Sequence, residues 1–520
     1  MPDLLKAARG VWIVNIRCLA PVMHVAPGPG GRGYVFRMAA SPSATGAEYP
    51  PPPPLVTLLA LTMGVFLVTL NVTVVTVALP DIQRSLNARP DELEWVIDAY
   101  NLVGASLLLS AGFFADRFGR KRALLTGYTI FSGGALLCAA APGAGWLILF
   151  RVVQAVGGTA LTPTSLSIVA NLYQDPRERA RAIGIWGVSS GLGLGAGPIV
   201  GGAVSDWWGW RAVFVVNAVA GLVALAIAYR GVPRSRSEVR RGLDIRGQLL
   251  AIVLLASLTY ALIEAPRYGW TSPRIILVLV ADVVLAAVFA AVELRVHEPL
   301  VDLRVFHDRQ FSGAIFITVA AFFAYSGFVY FTALYLQQVR GLSPLEAGVV
   351  MLPGALPVLA GGPISGRLVA TRGARGVLFA GTFVLAVGTL LLAFPASGAP
   401  LWQILVPALL VGIGYGFINA PVSTVAVATL PRQQAGVAAA MASSARNVGL
   451  VMGIAVLGSV VNGRMPGLQA HESYALAYTD AIHPAYVVAA GVALAASAVA
   501  LSTLRAEPPG SPRPVPATGR

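Results

Sequence analysis

Seven charged or amide side chains interrupt stretches that are otherwise apolar: Asn71, Asp98, Arg151, Gln154, Asp282, Arg446 and Asn447. Each lies inside a run long enough to cross about 30 Å of hydrocarbon. An ionisable group at that depth is costly and is by default a functional candidate. Helical rise puts Asn71, Asp98 and Arg151 in one layer of the membrane. An acid buried near a cation can titrate over a usable range, so Asp98, in the layer of Arg151, is a candidate proton carrier, with Asn71 as a neighbour that has no proton to give. Asp98 could equally face water near its helix end. Arg446 and Asn447 fall near mid-membrane and, with Arg151, give a cavity two cations against few acids, which points to a neutral or anionic substrate. Arg446 could instead bond backbone carbonyls freed near Gly449. Gln154, Tyr325, Tyr330, Tyr415 and Asn419 suit a broad-specificity pocket, or plain helix packing. Asp282 is a second acid, and Glu264 and Glu293, at run ends, are expected to be solvated. The histidines His24, His297, His307, His471 and His483 are scattered, and two cysteines make no cluster. No metal site, catalytic constellation or cofactor is expected.

The elements that position these residues follow from composition. Of 520 residues, 56% are apolar and only 12% charged, about half the roughly 25% of soluble domains. That excludes a soluble enzyme, a disordered chain and a nucleic-acid binder, despite a formal charge of +14. Fourteen runs can span a bilayer: 55–79, 92–115, 122–141, 145–170, 180–204, 210–229, 246–264, 275–293, 312–335, 344–367, 376–394, 401–426, 435–461 and 483–504. No polar stretch longer than about 20 residues separates them, which leaves no room for an ATPase domain. The loops after even-numbered helices and the C-terminal tail carry 23 Arg and Lys, against seven in the odd-numbered loops. Positive charge is retained in the cytoplasm, so both termini are expected there. Residues 1–54 fit poorly. Val11–Ala26 is a weak spanning candidate, and the segment is expected to be a disordered or mis-started tail, with the working chain beginning near Met38. The remaining expected units are a six-helix bundle at 55–230, an extra helix pair at 246–293, a second bundle at 312–504 and a tail at 505–520.

An internal repeat organises the bundles. Gly112 and Gly119 match Gly366 and Gly373, and Glu92 matches Glu346, all at an offset of 254. Ser189-Ser190 matches Ser443-Ser444, Gly195 matches Gly449, and Gln83 matches Gln338 one residue out of step. The offset is a shift of eight helices, so two six-helix halves flank helices 7 and 8. Parallel repeats related by an axis along the membrane normal mark a transporter whose site lies between the halves at mid-membrane.

Four stretches carry a family likeness. These are Leu70–Pro80 at the end of the first helix, Gly112–Arg122, Arg151–Gly158, and Gly193–Gly202 with Pro198. In this order they resemble the motifs of the fourteen-helix drug–proton antiporter (multidrug efflux) branch of the major facilitator superfamily, over about residues 55–504. The resemblance implies an all-α membrane protein of two six-helix bundles plus two linker helices. It implies a proton-coupled exporter of a small organic molecule in a bacterial cell membrane, working as a monomer by alternating access. It also places Arg151 in the proton or substrate relay and Asp116, Arg117 and Arg120 in a charge cluster that ties the halves shut at the cytoplasmic side. Gly112 and Gly119 are expected at close backbone approaches, and Gly193, Gly197 and Gly201 on a smooth face sliding against the other half, with Pro198 weakening the helix. The branch usually has Asp where this chain has Asn71. An uncoupled facilitator or importer, or a non-transporting membrane sensor, therefore stays open.

Overall fold

The computed structural model describes residues 23–27, 34–38 and 55–504, apart from 174, 234–243, 297–298, 300–302, 397, 430–434 and 470–472. The tail at 505–520 and the loop arginines at 234–241 and 432 lie outside the described residues. Met23–Pro27 and Tyr34–Met38 pair as an antiparallel hairpin within the segment expected to be a disordered tail.

All fourteen expected runs are helices: α1 (Leu55–Leu86), α2 (Pro90–Phe118), α3 (Arg120–Ala139), α4 (Ala144–Leu172), α5 (Pro176–Trp208), α6 (Trp210–Gly231), α7 (Ile245–Tyr268), α8 (Pro273–Glu293), α9 (Arg309–Leu334), α10 (Pro344–Arg372), α11 (Ala374–Leu391), α12 (Trp402–Thr429), α13 (Ala435–Gln469) and α14 (Tyr474–Thr503). Twelve are long and apolar enough to cross a membrane. The other two, α2 and α3, begin with clustered charges, acids on α2 and Arg120-Lys121-Arg122 on α3. Several helices outrun their expected apolar runs. In α14, Ser473 is the N-cap, and the helix starts nine residues before the expected 483 and continues through Pro484.

Packing follows the repeat. Within the first half α1 packs on α5 and α6, α2 on α4, α3 on α4 and α6. Within the second, α9 packs on α13 and α14, α10 on α12, α11 on α12 and α14. Adding eight to each label of the first set gives the second. The halves meet through two seams that the same shift interchanges, α2 with α13 and α5 with α10. Matched residues also do matched local jobs. Pro90 and Pro344 open α2 and α10, and Glu92 and Glu346 accept from the N-cap backbone N–H, of Arg89 at 2.8 Å and of Ser343 at 2.9 Å, the second completing a capping box. Gly119 and Gly373 turn the chain between α2 and α3 and between α10 and α11 at φ 100° and 81°, where only glycine is unstrained. The match fails between α5 and α13, where Gly195 faces α10 but Gly449 faces α9.

Helix α7 lies along the α2–α13 seam and α8 packs outside it. Gln248 Nε2 donates to the Ser106 carbonyl at 2.6 Å, and Arg267 reaches Asp91 at 3.8 Å, so α7 is tied to the middle and the start of α2. Glu264 and Glu293, expected in solvent, are buried at 8% and 3% exposure. Glu264 sits beside Arg267 at 3.7 Å, and helix neighbours cover both acids where hydropathy suggested an open end.

Candidate functional site

Arg151 stands two turns into α4 and is fully buried. Its Nε donates to the Val96 carbonyl of α2 at 3.0 Å, and its Nη1 to Gln154 Oε1 at 2.8 Å. The guanidinium carbon lies 4.4 Å from the Tyr100 ring centre and 6.0 Å from that of Phe214. Gln154 Nε2 passes the chain to Asn71 Oδ1 of α1 at 3.4 Å. An unpaired cation at this depth costs several kcal/mol. Here carbonyl and amide dipoles and two ring faces, each worth about 0.5–2 kcal/mol, stand where an anion would. Asn71, Arg151 and Gln154 are therefore one network.

Asp98 does not join it. The carboxyl is fully buried, neither oxygen has a hydrogen-bond partner, and no ion pair links it to Arg151. Helical geometry gives the reason. Val96 and Tyr100, four residues apart, share the face of α2 that meets Arg151, whereas Asp98 lies about 200° round from Val96. Its face is that of Glu94, which is 2% exposed and accepts from Asn462 Nδ2 of α13 at 2.7 Å. Depth and shared layer had suggested an Asp98–Arg151 pair; azimuth separates them. Glu94 escaped the sequence reading because it sits near the start of α2, although its i,i+4 spacing to Asp98 was visible. Tyr330 of α9 lies within electrostatic reach of both acids, which moves it from the substrate set to this cluster.

The substrate candidates gather in the second half. Tyr325 of α9 stacks on Tyr415 of α12 with centroids 3.9 Å apart and planes at 12°, and Phe322 meets Tyr415 edge-on at 5.0 Å. Arg446 of α13 donates to Ser443 Oγ at 3.2 Å and Ser423 Oγ at 3.4 Å, with its guanidinium carbon 5.9 Å from the Phe322 ring centre. The Arg446 Nε, the Tyr415 hydroxyl and the Ser444 hydroxyl are buried and have no partner. The unused Arg446 Nε and Tyr415 hydroxyl, beside an aromatic stack, make a site that can take a polar group of a ligand, whereas Ser444 lies about 200° round α13 from Arg446. Asn447, one residue on, faces the other half, its side-chain amide against Gly104 of α2. Asn419 is half-buried one turn from Tyr415.

Residues 61–454 match the family model described as Major Facilitator Superfamily. The chain belongs to that superfamily. It is a multi-pass membrane transporter, not an enzyme, and its substrate is a small molecule. It is 39% identical over 407 residues to the multidrug resistance protein Stp of Mycobacterium tuberculosis, covering 78% of this chain and 76% of that one. It is 34% identical to the methylenomycin A resistance protein of Streptomyces coelicolor, covering 78% and 85%. It is 31% identical to the tetracenomycin C resistance and export protein of Streptomyces glaucescens, over 87% and 92%. Among solved structures, the inward-facing bacterial homologue of the lysosomal transporter Spinster superposes with a TM-score of 0.61 at 20% identity, over 86% of this chain and 95% of that one. At that identity the likeness is one of fold.

The superfamily motifs take different places from those expected. Gly193, Gly197 and Gly201 do not face the other half. At i, i+4 and i+8 they form one stripe packed on α1, where added Cβ atoms would overlap Thr69, Thr73 and Val74 in turn. The spacing that suggested a sliding face is what a close parallel contact with β-branched residues requires. The neighbouring face of α5 makes the seam. Gly195 and Gly202 and the Pro198 carbonyl meet Ala355, Pro344 and Gly348 of α10. Gly112 has nothing within 4 Å of an added Cβ, so the close approach expected there is absent in this state, and the same holds at its repeat partner Gly366. Arg117 is exposed beside the Phe118 ring, Arg120 is buried, and the side chain of Asp116 lies outside the described residues. Asp282 of α8 accepts a hydrogen bond from Ser257 of α7, inside the extra pair and away from both networks.

Proposed function

We propose that the protein exports a small, neutral or anionic organic molecule of the antibiotic type in exchange for protons, as a monomer, by alternating access. The observation that carries this reading is where the halves touch. The contacts that can be named between them run from the end bearing the α1–α2 and α9–α10 loops (Gly202 on Pro344, Gly348 on Pro198, Asn462 on Glu94) to mid-membrane, at Gly191 on Leu359 and Gly104 on Asn447. The Arg446 site lies just past that seal. With the arginine-rich loops in the cytoplasm, this is an inward-open state in which the site is offered to the cytosol. The resistance and export functions in the names of Stp and the two Streptomyces relatives support the direction of transport.

Arg446, with Ser423 and Ser443, presents positive charge and hydroxyls to the ligand, and the Tyr325–Tyr415 stack supplies flat apolar area. Asp98 holds the exchanged proton, and Arg151 with Gln154 and Asn71 ties α1, α2 and α4 together on the other side of α2. In proteoliposomes with an imposed pH gradient, a panel of neutral and anionic antibiotics is expected to drive proton movement opposite to their own, and Asp98→Asn to abolish it. Efficient export of quaternary ammonium dyes, undiminished by Asp98→Asn, would overturn the reading. One observation favours an uncoupled facilitator or importer: at the usual acid position this chain has an amide, already bonded to Gln154. Substrate flux that neither moves protons nor responds to the gradient would establish that alternative.

A further inference from the structure

Glu94 is the residue on which the seam between the halves closes. Its carboxyl crosses from α2 to α13, where Asn462 donates to one oxygen at 2.7 Å while the other has no partner. The α13 residue directly opposite is Gly458, and a Cβ there would overlap the carboxyl. The backbone of the second half is thus cut away to admit this one acid. One turn deeper, Asp98 lies on the same face with both oxygens unpartnered and no exposure. The groups facing the pair from its neighbours carry no free positive charge. Asp91 of α2 is engaged by Arg89 at 2.7 Å and Arg267 at 3.8 Å, Glu264 of α7 by Arg267, and Tyr330 of α9 and Tyr478 of α14 are phenols. Among the described residues no cation pairs with Glu94 or Asp98.

We propose that Glu94 and Asp98 together form a proton-operated latch, in which the α2–α13 seam closes over the pair only when both carboxyls are protonated. Sealing ionised carboxylates without a counter-charge is expensive, and two of them one helical turn apart also repel. Protons taken up from the side that the seam shuts would let it close. Loss of a proton from the deeper Asp98 towards the open side would leave a charge the closed seam cannot hold, and the seam would part. Glu94 is then a coupling residue in its own right, and the Asn462 hydrogen bond reports which half-cycle the molecule is in. The latch deepens the proton-exchange reading above and rests on it for its purpose, but it can be tested without any substrate.

The experiment places spin labels at the closed end, at Ser85→Cys and Ser473→Cys, in full-length protein lacking Cys18 and Cys138 and held in lipid nanodiscs. Double electron–electron resonance then gives the distance distribution across the seam. The protein with native Glu94 is expected to show a short distance at pH 5.5 and a population at least several-fold more open at pH 8.5. Glu94→Gln combined with Asp98→Asn, which keeps both shapes and the bond to Asn462, is expected to stay short at both, and Glu94→Gln alone, with one titrating carboxyl left, to open less at pH 8.5 than the native protein. Asn462→Leu is expected to enlarge the open population at every pH while keeping the pH response. A Glu94→Gln protein that opens with pH as the native residue does, a native distribution indifferent to pH, or Asn462→Leu without effect would each overturn the latch. Proton-coupled export that survives Glu94→Gln unchanged would sink the latch and leave the function standing. A pH-operated seam in a protein whose substrate moves no protons would do the reverse.

Discussion

Gln338 donates from Nε2 to Gln83 Oε1 at 2.6 Å, and these two residues match in the internal repeat one position out of step. Residues related by a pseudo-two-fold touch each other only near the axis, so this pair marks where the axis leaves the membrane. The neighbouring Gln337 donates to the Val77 carbonyl at 2.8 Å, and Tyr474 bonds Gln338 from α14. The result is a polar clasp bordering a cavity of about 730 Å³ lined by both halves. A neutral hydrogen bond is worth about 1 kcal/mol net, a factor of roughly five in an equilibrium between closed and open seams. Gln338→Ala is expected to raise the open population at this end by about that factor, read from the same label pair, with Tm nearly unchanged. An unshifted distribution would show that the clasp does not hold the state.

Much of the architecture was legible because hydropathy and glycine are strong signals in a membrane. Helix number, the shift of eight and the turn glycines Gly119 and Gly373 follow from apolar length and from a conformation other residues avoid. The site was legible only in depth. Layer grouped Asn71 with Arg151, and the structure joins them through Gln154, which the sequence suggested for a substrate pocket, because a buried guanidinium has to find the nearest dipoles. It misjudged Asp98 and missed Glu94, because depth alone says nothing about azimuth around the helix. The same blindness assigned the Gly193 stripe to the wrong partner: its spacing announces a close neighbour without saying which helix that is.

Arg151 offers a test of charge against geometry. Lysine at this position keeps the charge but cannot reach Val96 and Gln154 together while lying flat against Tyr100. Arg151→Lys is expected to cut transport at least tenfold and to lower stability by about 1–3 kcal/mol. Transport initial rates and thermal unfolding in detergent check the two effects separately. Wild-type rates would mean that a point charge suffices.

Asn71 tests the departure from the family pattern. Aspartate there would stand next to Gln154 and one link from Arg151, adding a titratable group to a network that now has none. Asn71→Asp is expected to add proton movement per substrate without removing the share carried by Asp98, so Asp98→Asn should no longer abolish coupling in that background. The count comes from the membrane potential or pH gradient that just halts transport. An unaltered ratio would show that the Arg151 network lies off the proton path.

The glycines separate packing from gating. An alanine at Gly197 would overlap Thr73, and overpacking of this kind costs about 1–3 kcal/mol. Gly197→Ala is expected to lower Tm, and the partner change Thr73→Ala to restore much of it, because the contact is static and lies within one half. Gly112→Ala should behave oppositely. Its Cβ meets open space in this state, so Tm should hold within the equivalent of about 0.5 kcal/mol. If the cytoplasmic ends of the halves come together when the transporter turns outward, the added methyl will obstruct that closure, and turnover should fall while binding to the inward-open form is kept. Equilibrium binding and single-turnover export on the same preparation decide it. Full export by Gly112→Ala would remove the close approach from the cycle, whereas a loss of Tm would place it in the fold of this state.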